Sequence, residues 1–229
     1  MLETIKFGIS AILSVILLTV QVFAQTDKKA VYSSNSNEKK KIALTFDDGP
    51  HPKNTEKILD ILDKYDVSAT FFIVGVNAKN YPDTLKQVAK RGHEIGNHTY
   101  SHIILKDKSK DTVNNELLST EKEIEQITGG KTNLLRPPCG IYDNNTVNFA
   151  VENGYKVVLW NIDTHDWAHS SVESIVNSIE KNVKGGDIVL FHDYVSGKNN
   201  TKEALEIIIP KLKKQGYEFV TVSELLQNV

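Results

Sequence analysis

Asp47 and Asp48 stand side by side after the apolar run 42–46 and directly before Gly49-Pro50. Two like charges at the end of a buried segment are poorly solvated and require a positive partner. A plainer reading makes one of them the cap of the following helix and leaves the other in water, because short polar residues favour caps. His98 and His102 offer a second clue. Four residues of extended chain would hold them roughly 13 Å apart, whereas one helical turn brings them to about 6 Å. A shared metal therefore predicts a turn of helix after Asn97; two solvent-facing histidines on that helix are the alternative. With Asp48, two neutral imidazoles and one carboxylate suit zinc, leaving positions for water and substrate. The same set suits non-haem iron(II), although no residues for oxygen activation or a co-substrate can be identified.

Those residues need a scaffold that brings distant segments together. Apolar runs at 42–46, 69–74, 94–97, 134–136, 157–162, 188–191 and 219–222 read as strands. Between them apolar residues recur at three- and four-residue spacing, as in Ile58, Leu59, Leu62 and Tyr65, or Leu205, Ile208, Ile209 and Leu212, which predicts amphipathic helices. Gly92, Gly129, Gly154 and Gly216 each follow such a run, where a left-handed cap is wanted. The alternation predicts an α/β fold, a distorted (β/α) barrel of about seven parallel strands. Functional groups of such barrels gather at the C-terminal strand ends. Asp47 and Asp48 follow the first strand, His98 and His102 the third, Arg136 the fourth, Asp163 and Asp166 the fifth, and His192 the sixth.

The bulk properties set limits. At 229 residues, with a net charge of −2, the chain suits one domain and carries no dominant nucleic-acid footprint. Residues 1–24 join Lys6 to a long apolar run and read as a secretory signal peptide, or as an uncleaved membrane anchor. Residues 25–40 are polar and read as a tether, leaving 41–229 as the folded domain. The single cysteine, Cys139, cannot form an internal disulfide, so an exported domain must rely on its core. A secreted or cell-envelope monomer is expected, touching membrane only if the leader stays attached.

Five segments, Thr45-Phe46-Asp47-Asp48-Gly49-Pro50, His98-Thr99-Tyr100-Ser101-His102, Arg136-Pro137-Pro138-Cys139-Gly140, Asp163-Thr164-His165-Asp166-Trp167 and Leu190-Phe191-His192, resemble the ordered motifs of polysaccharide deacetylases. These are the NodB-homology domains of carbohydrate esterase family four. The resemblance runs from about residue 41 to 226. It implies a hydrolase that removes acetyl groups from an N-acetylated glycan, with one divalent ion on Asp48, His98 and His102. Zinc is the expected ion, with Co(2+) or Ni(2+) as substitutes.

The same resemblance assigns the remaining roles. Asp47 is the expected general base and His192 the acid that protonates the departing nitrogen. Arg136 is expected to orient Asp47 with a bidentate fork, and Asp166 to orient His192. The backbone N–H of Cys139 is the expected oxyanion donor. The family usually has tyrosine there, so the cysteine removes a ring from the groove wall; a small buried hydrophobe is its plainer reading. Trp167 and Leu190 match positions lining the sugar groove and the acetyl-methyl pocket, although both types are core residues by default. Asp163 is expected to cap its loop. An O-acetyl esterase and a non-catalytic glycan-binding remnant are the rival readings.

Overall fold

In the computed structural model, described here for residues 30–229 apart from Asn228, every strand pairing is parallel. The strands are β1 (Val31–Tyr32), β2 (Lys41–Asp47), β3 (Thr70–Ile73), β4 (Glu94–Asn97), β5 (Leu134–Leu135), β6 (Lys156–Val158), β7 (Ile162–Asp163), β8 (Ile188–His192) and β9 (Glu218–Phe219). They follow the order β1-β6-β5-β4-β3-β2-β8-β7, with β9 added to β2. An isolated antiparallel bridge joins Ser34, just after β1, to Asp187, just before β8. A distorted, incompletely closed barrel results, as the strand-helix alternation predicts. The predicted signal segment, 1–24, lies outside the described residues. Among the described residues, no helix is long and apolar enough to cross a membrane.

The wall is built by alternation along each strand. Ile42, Leu44 and Phe46 of β2 pack outward with Phe71 and Ile73 of β3 and Val189 and Phe191 of β8. Against this surface lie α1 (Asn54–Tyr65) and α7 (Thr201–Lys214), whose Ile58, Leu59, Leu62, Leu205, Ile208, Ile209 and Leu212 are fully buried. The intervening residues face inward: Ala43, Phe72, Leu134, Val158 and Ile188 make a smaller inner cluster. The remaining helices are α2 (Gly75–Asn80), α3 (Pro82–Lys90), α4 (Lys110–Thr128), α5 (Asn144–Glu152), α6 (Val172–Glu180) and α8 (Val222–Leu225). Gly92, Gly129, Gly154 and Gly216 have φ between 74° and 82°, as their capping role requires.

Two expectations need correction. The strand expected over 157–162 is two strands, β6 and β7. Its middle carbonyls, Val158 O and Leu159 O, accept hydrogen bonds from Arg136 Nε (3.2 Å) and Nη2 (2.9 Å) instead of a neighbouring strand. The tether expected over 25–40 is also too long. Val31 and Tyr32 pair with Val157 and Val158 of β6, and the buried Asn35 donates from Nδ2 to Leu225 O at 2.7 Å. Residues 31–35 have no core of their own and are ordered because the barrel supplies their partners.

Candidate active site

The inner face of β2 ends on Asp47, which is 3% exposed. Its Oδ1 accepts a hydrogen bond from Arg136 Nη1 at 2.7 Å. Arg136 is fully buried, with its guanidinium 4.0 Å over the Phe72 ring. It does not make the expected bidentate fork: Nη1 is shared between Asp47 and Thr45 Oγ1 (2.8 Å), while Nε and Nη2 go to the two β6-end carbonyls. Four of the five N–H donors of the fork are used, and Asp47 is pinned by one oxygen. Its other oxygen, Oδ2, lies 3.7 Å from His98 Nε2.

Asp48 leaves the strand in the left-handed region, φ 77°, and points its Oδ1 at His98 Nε2 (3.4 Å) and His102 Nε2 (3.1 Å). Donor atoms of the three residues all lie within 4.8 Å of one another. His98 Nδ1 is 2.7 Å from Arg136 O, an atom that can only accept. In the neutral ring the hydrogen therefore sits on Nδ1, and Nε2 turns a lone pair toward the carboxylate. Asp48 Oδ1 is sealed from solvent and lacks a well-formed hydrogen bond. Lone pairs facing each other at this range repel unless a cation is shared between them. Protons provide one such cation, and the pKa of His102 is raised chiefly by the Asp48 carboxylate beside it. A divalent ion provides another: corners of a tetrahedron drawn 2.0–2.1 Å from its centre are about 3.3–3.4 Å apart. The residues therefore fit a metal.

No helix follows Asn97. Residues 98–105 form a loop in which Thr99 (φ 65°) and His102 (φ 58°) are left-handed, and this fold-back sets the two imidazole centroids 5.1 Å apart. Opposite, His192 at the end of β8 bonds through Nδ1 to Asp166 Oδ1 at 2.8 Å. Asp166 Oδ2 takes the His192 backbone N–H (2.8 Å) and the Thr201 hydroxyl (2.5 Å), so the acid is fully occupied in aiming this ring. Burial works against a charged His192, but the hydrogen bond and charge of Asp166 outweigh it and lift its pKa to about 9.

Asp47, Asp48, His98, His102 and His192 share one cavity of ≈ 350 Å³ with Cys139, Trp160, Asp163, Trp167 and Leu190. Leu190 is 2% exposed, whereas Trp167 is 51% exposed and its indole N–H donates to Asp163 Oδ1 at 3.3 Å. Cys139 is exposed in a left-handed turn, φ 57°, so the buried-hydrophobe reading fails. Partial desolvation by the pocket wall and the nearby Asp48 and Asp47 charges raise its thiol pKa.

A family model described as polysaccharide deacetylase matches residues 34–158, more than half of the 229-residue chain. The chain belongs to the polysaccharide deacetylase family. It is 47% identical over 193 residues to a peptidoglycan-N-acetylglucosamine deacetylase of Bacillus cereus, a match covering 83% of this chain and 90% of that protein. A crystal structure of a peptidoglycan N-acetylglucosamine deacetylase in complex with 4-naphthalen-1-yl-N-oxidanyl-benzamide gives a TM-score of 0.85 at 38% identity, over 90% of this chain and 97% of that one. A family 4 acetyl xylan esterase from Clostridium thermocellum, in complex with a cobalt ion, gives 0.76 at 34% identity, over 82% and 91%.

In this deacetylase several supporting residues escape a reading of spacing alone. Glu116 of α4 accepts the backbone N–H groups of Tyr100 and Ser101, each at 2.8 Å, and so clamps the His98–His102 loop from outside. Asn97 Oδ1 accepts from Thr99 N–H at 2.9 Å within the same loop. Asp193 is fully buried behind Asp48 and takes the Thr55 hydroxyl at 2.5 Å. A Cβ on Gly49 would meet its Oδ2 at 2.1 Å, so only glycine fits there. Burial pushes the Asp193 pKa up to about 7. Of these, Asp193 alone left a trace in the sequence: like the Asp47-Asp48 pair, it is a carboxylate placed at the end of an apolar strand.

Proposed function

We propose that this chain hydrolyses the N-acetyl group of N-acetylglucosamine residues in peptidoglycan, releasing acetate, and that it works outside the cytoplasm after export directed by residues 1–24. The observation carrying this reading is the single pocket in which a pinned carboxylate and an aimed, protonated imidazole flank a metal-ligand trio. The likeness over nearly the full length of the Bacillus cereus enzyme supports the peptidoglycan substrate.

Asp48, His98 and His102 would hold one divalent ion, zinc by donor type, which acidifies a water and polarises the acetyl carbonyl when bound. Asp47, fixed by Arg136, takes the proton of the attacking water. The Cys139 N–H, in the turn after Pro137-Pro138, serves the developing oxyanion. His192 then protonates the sugar nitrogen, because an amide anion is too poor a leaving group to depart bare. Leu190 receives the acetyl methyl and Trp167 the sugar face. A non-catalytic remnant would lack a base, an acid or a ligand, and all three kinds of group are present.

The test is acetate release by metal-reconstituted protein from peptidoglycan, chitooligomers, poly-N-acetylglucosamine and acetylated xylan. Release from peptidoglycan is expected. Release from xylan alone would replace the reading with an O-acetyl esterase, which the likeness to the acetyl xylan esterase favours. No release from any of the four overturns it.

A further inference from the structure

Beyond the pocket, two exposed tyrosines and a half-buried histidine make a shelf on the same rim. His51, three residues after Asp48, stacks on Tyr194, two residues after His192, with centroids 5.1 Å apart and planes 13° from parallel. Tyr81, in the turn following α2, meets His51 at 6.2 Å and 60°. Tyr194 and Tyr81 are 45% and 36% exposed. Single exposed rings are ordinary, but a stacked group beside a site marks a binding face.

The shelf is held rigidly. His51 Nδ1 accepts the backbone N–H groups of Lys53 (3.3 Å) and Asn54 (3.2 Å), so in the neutral ring the hydrogen lies on Nε2. The His51 N–H donates to Thr55 Oγ1 at 2.8 Å, and that hydroxyl donates to the buried Asp193 at 2.5 Å. Little ordering cost is left for a ligand to meet.

We propose that this shelf is a second sugar-binding position, taking a neighbouring pyranose ring of the same N-acetylated glycan; this rests on the deacetylase reading of the pocket. Three residues of chain span at most roughly 11 Å and two roughly 7 Å, which puts the shelf within one or two sugar rings of Asp48 and His192. A pyranose has an apolar C–H face and a hydroxyl edge. The Tyr194–His51 stack has the matching flat apolar surface, and the His51 Nε2–H can meet a hydroxyl of that edge. None of the three rings lines the acetyl pocket. A sugar on the shelf is therefore one not being deacetylated, and its effect is on preference for chain length.

The probes are the hexamer and the dimer of β-1,4-linked N-acetylglucosamine, with metal-loaded wild type, Tyr194→Ala and Tyr194→Phe. Calorimetry should show the hexamer Kd rising roughly five-fold or more in Tyr194→Ala. The hexamer-to-dimer ratio of kcat/KM should fall toward one in that variant. Tyr194→Phe keeps the ring and should stay near wild type in both measurements. An unchanged hexamer Kd in Tyr194→Ala overturns the shelf, as do equal losses in the two variants, which would trace the effect to the hydroxyl or to misfolding. Hexamer binding that depends on the Tyr194 ring, with no acetate released by wild type, keeps the shelf and sinks the deacetylase reading instead.

Discussion

Asp47 and Asp48 are neighbours that an extended chain would send to opposite faces. The left-handed turn at Asp48 cancels that alternation and brings both carboxylates over one pocket. Such backbone costs a non-glycine residue about 1–3 kcal/mol, and Thr99, His102 and Cys139 share it near the same pocket. Asp47→Asn preserves the shape but cannot accept a proton. Its kcat should fall roughly 10²–10⁴-fold with bound metal unchanged by elemental analysis, and substantial residual turnover would remove Asp47 as base. His192 supplies a pH prediction. Its folded pKa, about 9, lies above the ordinary 6.5, so the proton is bound more tightly in the folded state. The stability contributed by the His192–Asp166 pair is complete below 6.5 and is lost as pH rises through about 9. Activity that needs this proton declines as pH rises through about 9. Asp166→Asn removes the charge that raises the pKa, so the alkaline limb of kcat/KM should move toward neutral pH; a limb that stays in place would count against His192 as the acid.

At the scale of elements, the His98–His102 loop shows how two imidazoles are brought together without regular structure. The two rings meet because two left-handed residues fold the chain back and α4 holds it there through Glu116. Glu116→Ala should leave the protein folded, since its side chain reaches the rim and not the core, but free the Tyr100 and Ser101 N–H groups. Metal affinity is expected to drop about ten-fold, measured by competition with a chelator, and an unaltered affinity would make the clamp incidental. The break between β6 and β7 has a comparable origin. Arg136 is needed beside Asp47, its fork must be satisfied in a dry interior, and the carbonyls of Val158 and Leu159 are given to it at the expense of the ladder. The helices were legible from their 3.6-residue period and the glycines at their ends. The interrupted strand was not, because an apolar run carries no mark of where a distant arginine will draw on its backbone.

At the scale of the whole molecule, the barrel is completed by a segment whose composition gives it no core of its own. Tyr32 is 6% exposed and Asn35 is 4% exposed, and β1 covers the edge of β6. A chain beginning at Lys41, the boundary that composition suggests, should therefore lose roughly 2–4 kcal/mol of stability relative to one beginning at residue 30, as read from denaturant midpoints. Equal midpoints would show that the segment merely rests on the domain.

The sequence by itself determined the helices, the parallel alternating plan, the strand ends where polar groups gather, and the residue types that resemble a deacetylase's acid, base and ligands. These are local properties: period, punctuation and side-chain chemistry are written in consecutive residues. Only the tertiary structure decided that His98 and His102 meet through a left-handed loop, that Arg136 holds Asp47 by a single shared donor, that Asp193 backs the ligand turn, and that residues 31–35 belong to the barrel. Each of those depends on which segments pack together and on the need to satisfy every buried polar group, and neither is encoded at any one position along the chain.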